Sequence, residues 1–236
     1  MDLPRIFTIR ESNHRIHNPF TPGKLAALGQ ALRLASGSGE MLCTWARDHQ
    51  VTGTGVDIST VFTEQARARA AELGVADRVT FAHDDASGYV ADEPVDLVAC
   101  IGATWIGGGL PGTVELLSSS LRPGGLMLVG EPYWRREVPD QQTARACLAQ
   151  DAEDFLLLPE LVEQFGDLGY DVVEMVLADQ DSWDRYQAAQ WLNLRRWLDD
   201  NPDDELAATV RAELTTEPVR YTRYQRASTS AGEFSH

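Results

Sequence analysis

Between residues 40 and 130 the chain alternates helical and strand-like segments at a spacing that points to a parallel sheet. Residues 40–48 place Met41, Leu42 and Trp45 on one side of a helix, and residues 54–58 then read as a short strand containing Asp57. An Ala- and Arg-rich helix at 63–73 is closed by Gly74, and residues 79–82 read as the next strand. Residues 95–101 are an apolar run of the right length for a strand covered on both faces. A further helix ends at 116–121 before a Pro123-Gly124-Gly125 turn and a strand at 126–130. Parallel neighbours cannot be joined by a tight hairpin, and each intervening helix supplies the crossover they need.

Upstream, Thr21-Pro22-Gly23 opens a helix through Leu25, Leu28 and Leu32, since proline in the first helical turn gives up only an N–H that would be unpaired there. A Gly-rich turn follows at Ser36-Gly37-Ser38-Gly39. Downstream the pattern changes: 132–154 is polar and loop-like, 159–168 helical, 170–177 a strand and 183–198 a longer helix. Trp183, Tyr186, Trp191 and Trp197 on that helix are expected to pack it onto the body rather than to touch a ligand. The 236 residues are read as one domain over 1–226, with 132–160 and 178–202 as cap or lid insertions and 227–236 as an aberrant, disordered tail.

The formal net charge of -16 repels phosphate backbones and anionic headgroups, which argues against nucleic acid or membrane partners. Arg135-Arg136 and Arg195-Arg196 are the only tight basic pairs and read as solvated surface. No apolar run approaches a membrane span and the first ten residues do not read as a signal peptide, so a cytoplasmic location is expected. Cys43, Cys100 and Cys147 are too widely spaced for a metal or redox motif and read as buried thiols; no metal site is expected.

Three features carry chemistry. A Gly-rich turn entering a helix lets backbone N–H groups approach a polar ligand closely, and Ser36-Gly37-Ser38-Gly39-Glu40 can do this. Asp57 at the end of the next strand can accept both hydroxyls of a ribose. Asp84-Asp85-Ala86 follows the strand after that, where a carboxylate can accept the exocyclic amine of adenine or can cap a turn.

In order and spacing these segments resemble a class I S-adenosylmethionine-dependent methyltransferase of the bacterial small-molecule type. Ala35-Ser36-Gly37-Ser38-Gly39 resembles that family's glycine motif, Gly55-Val56-Asp57-Ile58-Ser59 its ribose-binding strand end, and Asp85-Ala86 its adenine-contacting pair. Residues 95–100 resemble its fourth strand and Leu121-Arg122-Pro123-Gly124-Gly125 the turn into its fifth. Segments such as Asn13-His14-Arg15-Ile16-His17, Gly102-Ala103-Thr104-Trp105 and Gly130-Glu131-Pro132-Tyr133-Trp134 extend the likeness over nearly the whole chain, to uncharacterised bacterial members.

The resemblance implies an α/β, Rossmann-like, mostly parallel sheet with helices on both faces, and methyl transfer from S-adenosyl-L-methionine to a small-molecule acceptor. It implies cofactor contacts from Ser36, Gly37, Gly39 and Asp57, and from Ile58, Asp85, Ala86 and Ile101. A methyl acceptor that must lose a proton needs a base, for which His14, His17, Glu131 and Tyr133 are candidates by chemistry and by likeness to positions near the substrate. It supplies neither the acceptor nor an oligomeric state.

Two departures stand against it. Residues 31–35 leave almost no room for the family's first strand, and Arg33 stands where an acid is expected. After Arg226 the family continues into an apolar edge strand, whereas 227–236 is small and polar, so the first and last strands read as degraded. A degenerate, non-catalytic protein of the same shape is therefore the alternative. A nicotinamide-dependent oxidoreductase is a second, weakened because position 42 is Leu where a third glycine is wanted.

Overall fold

The computed structural model describes residues 3–19, 21–24, 26 and 39–235. The expected helix positions Leu25, Leu28 and Leu32, the expected first strand with Arg33, and Ser36 and Gly37 lie outside the described residues. The elements run α1 (Arg5–Arg10), α2 (Gly39–His49), β1 (Gly53–Asp57), α3 (Thr60–Glu72), β2 (Val79–His83) and β3 (Val95–Ile101). They continue with α4 (Leu110–Ser118), β4 (Leu121–Trp134), α5 (Gln141–Ala146), α6 (Leu158–Asp167), β5 (Glu174–Leu177), α7 (Gln180–Asp200), α8 (Ala207–Arg220) and β6 (Thr229–Ser235).

Among the described residues, β1 and β2 form a parallel pair and a second sheet has the order β3-β4-β6-β5. β3 and β4 are parallel, as the intervening helix requires, whereas β6 runs antiparallel to both of its neighbours. The period of two along the strands sorts the core into layers. Leu97 and Leu128 face Met41 and Trp45 of α2, while Val98, Met127 and Val129 face Leu110 and Val114 of α4 and Leu161 and Phe165 of α6. A third cluster joins Ile9 of α1 to Leu194 and Leu198 of α7 and Ala207 and Val210 of α8.

The structure corrects the reading of the tail. Thr229–Ser235 lies between β4 and β5, pairing Thr229 with Trp134 and Ser235 with both Leu128 and Glu174. Small polar residues have weak intrinsic strand preference, but β4 pairs the whole segment and β5 pairs Gly232–Ser235 from the other side, and pairing overrides propensity. The same partner extends β4: Pro132, Tyr133 and Trp134, read as the start of a loop, pair with Ala231, Ser230 and Thr229. Pro123-Gly124-Gly125 does not end the strand either. It is absorbed as an irregularity between the Val95–Leu121 and Leu97–Leu126 pairs, with Gly124 at φ 75°. The three cysteines are buried and none forms a disulfide.

Helix α2 approaches α3 so closely that a Cβ added at Gly39 meets the Cβ of Ala66 at 2.5 Å and its Cα at 2.9 Å. Arg69 locks the same two helices, donating from Nε to Glu40 Oε2 at 2.7 Å and from Nη2 to Oε1 at 3.0 Å in a half-buried fork.

Two outcomes follow for stability. Gly39→Ala is expected to lower the unfolding free energy by about 1–3 kcal/mol, the usual cost of overpacking, as read by urea denaturation. A chain ended at Ser228 leaves both β4 and β5 with an open edge, and is expected to lose more than about 4 kcal/mol or to aggregate, as read by thermal unfolding with light scattering.

Candidate cofactor and acceptor site

The site is built at the carboxyl ends of the strands. In the β1–β2 pair Asp57 stands opposite His83, and the Asp84 N–H donates to the Asp57 carbonyl at 3.1 Å, so the loop after β2 is tied to the end of β1. Asp57 Oδ1 accepts from the Ser59 N–H at 2.7 Å, and the Ser59 hydroxyl in turn caps α3 by accepting from Phe62 N–H at 3.3 Å. The Asp57 carboxylate is thereby oriented while it remains exposed. His83 Nε2 lies 2.9 Å from the Ile58 carbonyl, so the main chain of Ile58 serves the strand ends.

A cavity of about 1130 Å³ runs along the full length of β1 and β3, from Gly53 and Val95 up to Asp57 and Ile101 at the carboxyl ends. Asp57, Ala86, Ile101 and Gly39 border it, and from the N-terminal segment so do Asn13, His14 and His17. Four of the residues expected to hold a cofactor are thus brought to one wall system together with two of the expected bases. Asp85 and Ile58 do not border it. Asp85 Oδ1 accepts from Ser87 N–H at 2.9 Å, capping Ala86–Gly88, and this bond holds its pKa below the usual carboxylate range.

Glu131 and Tyr133 lie on β4 and do not border the cavity either. Burial lifts the Glu131 carboxyl from 4.5 to about 7, against the opposing hydrogen bond from Thr104. Tyr133 packs into the layer with Val129, Leu161 and Phe165 and flanks a separate cleft beside Trp134 and Arg135.

The aromatic residues of α7 pack, as their helical spacing suggests. Trp183 lies against the Met41–Trp45 cluster, Trp191 meets Tyr221 edge-on at 5.9 Å, and Arg5 sits 5.6 Å above the Trp197 ring. Tyr186 does more. Its hydroxyl lies 3.1 Å from both Glu11 Oε1 and the His17 carbonyl, and its ring lies 4.7 Å from that of His14. Glu11 is 1% exposed, and Gln190 Nε2 donates to the same Oε1 at 2.6 Å. Sequence reasoning missed Glu11, whose one signal is its i,i+3 spacing to His14.

Two more contacts seat this arm. Asn13 Nδ2 donates to Asn193 Oδ1 at 2.9 Å, and Asn18 lies against Gly102, where an added Cβ would meet Asn18 Oδ1 at 2.8 Å and where φ is 65°. His17 packs on Phe62 with ring centroids 4.2 Å apart, and burial lowers its pKa, which keeps it neutral at pH 7.

The third glycine of a dinucleotide fingerprint has no place here. Leu42 is fully buried in α2 against Ala70, Val75 and Val79. Among the described residues no helix is long and apolar enough to cross a membrane.

Comparison with known proteins agrees with this arrangement. Residues 31–125 match the family model described as a methyltransferase domain. The chain is 61% identical to the uncharacterized protein YjhP of Escherichia coli K12, over all of this chain and 98% of that one. It is 65% identical to a S-adenosylmethionine-dependent methyltransferase from Geobacter sulfurreducens solved in complex with S-adenosyl-L-homocysteine, with a TM-score of 0.96 over 99% of this chain and 98% of that one. A S-adenosylmethionine-dependent methyltransferase from Thiobacillus denitrificans, solved with the same compound, is 61% identical with a TM-score of 0.96 over 100% and 98% of the two chains. By its strand-end carboxylates, its α/β layers and these relatives, the chain belongs to the S-adenosylmethionine-dependent methyltransferases.

Proposed function

We propose that this chain binds S-adenosyl-L-methionine at the carboxyl ends of β1 and β3 and transfers its methyl group to a small-molecule acceptor held beneath the N-terminal segment. The observation that carries the reading is the convergence of Asp57, Ala86 and Ile101 on the cavity that His14 and His17 also border. When bound, the cofactor supplies a sulfonium leaving group, so the protein has mainly to align the acceptor and exclude water.

The residues present fit that demand. Asp57, exposed and oriented by Ser59, offers two carboxylate oxygens to the hydroxyls of a ribose. Ala86 and Ile101 offer small apolar walls to a base. Asp85, anchored by Ser87 as Asp57 is by Ser59, positions Ala86 and keeps lone pairs for the exocyclic amine of adenine. Gly39 serves first by letting α2 approach α3, which carries the helix start to the cavity wall. Ser36 and Gly37 are assigned to the cofactor by likeness alone.

Residues 178–202 act as the cap. Helix α7 in that segment sends Tyr186, Gln190 and Asn193 onto the N-terminal segment and so closes the acceptor side. Residues 132–160 serve otherwise: Trp134, Ala144, Cys147 and Ala149 form a satellite core there. The surface charge of -16 favours a neutral or cationic small acceptor over a nucleic acid. Glu131, away from the cavity, is set aside as the base.

Calorimetry with S-adenosylhomocysteine tests the cofactor reading. Asp57→Ala is expected to weaken binding by about 10- to 100-fold, the worth of hydrogen bonds to a charged group. A folded wild-type protein that takes up none is the non-catalytic alternative instead.

Glu131 makes a separate prediction for stability. Its folded value near 7 lies above its unfolded value of 4.5, so the unfolded chain releases its proton first as pH rises. Stability falls between about pH 4.5 and 7 and levels off above. Glu131→Gln removes that loss and is expected to raise the unfolding free energy at pH 8, relative to pH 4.5, by about 2–3 kcal/mol over wild type, as read by urea denaturation at the two pH values.

A further inference from the structure

Buried polar groups are nearly always paired, and each exception needs a physical reason such as strain or a catalytic role. Three of the atoms left without a hydrogen bond in this structure sit together: Glu11 Oε2 and both ring nitrogens of His14. His14 Nδ1 is 2.9 Å from Glu11 Oε2, a hydrogen-bonding distance, although the ring is out of line for the bond itself. The other carboxylate oxygen is already held by Tyr186 and Gln190, so Glu11 cannot turn away from the imidazole without abandoning them. Tyr186 also backs the ring, its plane tilted by 33° to that of His14.

We infer that His14 is the general base of the methyl transfer, with Glu11 as its positioning residue, and that the acceptor carries its reacting atom as a hydroxyl. This rests on the methyl-transfer reading above. A small turn of the ring brings Nδ1 into line with the carboxylate 2.9 Å away, which then holds the proton on that nitrogen and leaves the lone pair on Nε2. His14 borders the cavity with both ring nitrogens buried, so an acceptor hydroxyl supplies the partner that Nε2 lacks once the ring turns at this wall.

The step balances with no further reagent. The acceptor oxygen's lone pair forms the new bond to the methyl carbon while the carbon–sulfur bond breaks, its electron pair going to sulfur. The hydroxyl proton passes to His14 Nε2, and the Glu11 carboxylate offsets the imidazolium charge. The proton leaves to water with the product. His17 is not equivalent, because its ring packs on Phe62 and burial disfavours its protonated form. An acceptor whose atom already carries a free lone pair and no proton, such as a thioether or tertiary amine, has no use for this pair.

The test uses the full-length protein, with S-adenosylhomocysteine as the probe. Calorimetry is expected to show wild type, His14→Gln and Glu11→Gln binding it within about threefold of one another, which separates this inference from the cofactor site. If wild type binds none, the methyl-transfer reading fails and the base assignment falls with it. Histidine-selective nitrogen NMR of the complex at about pH 8 is expected to show His14 as one neutral tautomer with Nε2 unprotonated, a preference weakened in Glu11→Gln. A protonated Nε2, or mixed tautomers in wild type, overturns the inference whether or not an acceptor has been found.

Methyl-labelled donor with a pool of phenols, aliphatic alcohols and amines gives the activity arm. His14→Ala is expected to lower transfer to hydroxyl acceptors at least about 100-fold, with partial recovery on adding imidazole to the medium. Wild-type rates in that variant, or transfer confined to tertiary amines, overturn it.

Discussion

A carboxylate at 1% exposure is an expensive thing to fold around, and Glu11 is one. Its cost is tolerable only where the chain brings donors to it, and the donors come from Tyr186 and Gln190, more than 170 residues away in sequence. That requirement fixes where the N-terminal segment lies. Once Glu11 is held against α7, His14 stacks on Tyr186, the His17 carbonyl reaches the same hydroxyl, and Asn18 comes to rest on Gly102 at the end of β3. Glu11 thus helps to set the wall of the cavity opposite the strand ends, together with the Asn13–Asn193 and Arg10–Glu213 bonds. α1 and α7 share an apolar cluster, but apolar contact alone would let the segment slide; directional bonds to a charge set its register.

The strands between Gly53 and Gly130 were legible because their partners are also in sequence order. Each reads as a short apolar or β-branched run, each is followed by a helix, and parallel pairing follows from connectivity alone. The end of the chain was illegible for the converse reason. Thr229–Ser235 carries little strand preference of its own and becomes a strand because β4 pairs it along its whole length and β5 along Gly232–Ser235. The reach of β4 to Trp134 was hidden by the same fact, since a strand that gains its partner from a distant tail looks, residue by residue, like a loop.

The site shows a similar division. The place of Asp57 was legible by position, at the end of a strand, and the structure brings it to the cavity border. The place of Asp85 after β2 was legible too, but not the bond by which its carboxylate caps a turn, since sequence does not show which backbone N–H an aspartate accepts from. Glu11 carried no signal beyond its spacing to His14, because what makes it matter is burial against residues that the sequence places near the other end. Long-range polar pairing of this kind is the least periodic information in a chain.

Gly39 shows how packing and chemistry can be asked of one atom. A glycine before a helix invites a reading in terms of backbone N–H groups approaching a ligand, and Gly39 does border the cavity. Its missing Cβ, however, is already required by Ala66, 2.5 Å from where that carbon would sit. The close approach of α2 to α3 and the Glu40–Arg69 fork keep the start of α2 at the level of Asp57, since α3 itself begins from the cap that Ser59 makes beside that carboxylate. A substitution that pushed the helices apart would therefore displace the start of α2 relative to Asp57 even if every cofactor-facing atom were retained. Binding and folding are coupled here through the spacing of two helices, so a loss of cofactor affinity at Gly39 is informative only when read beside the stability of the same variant.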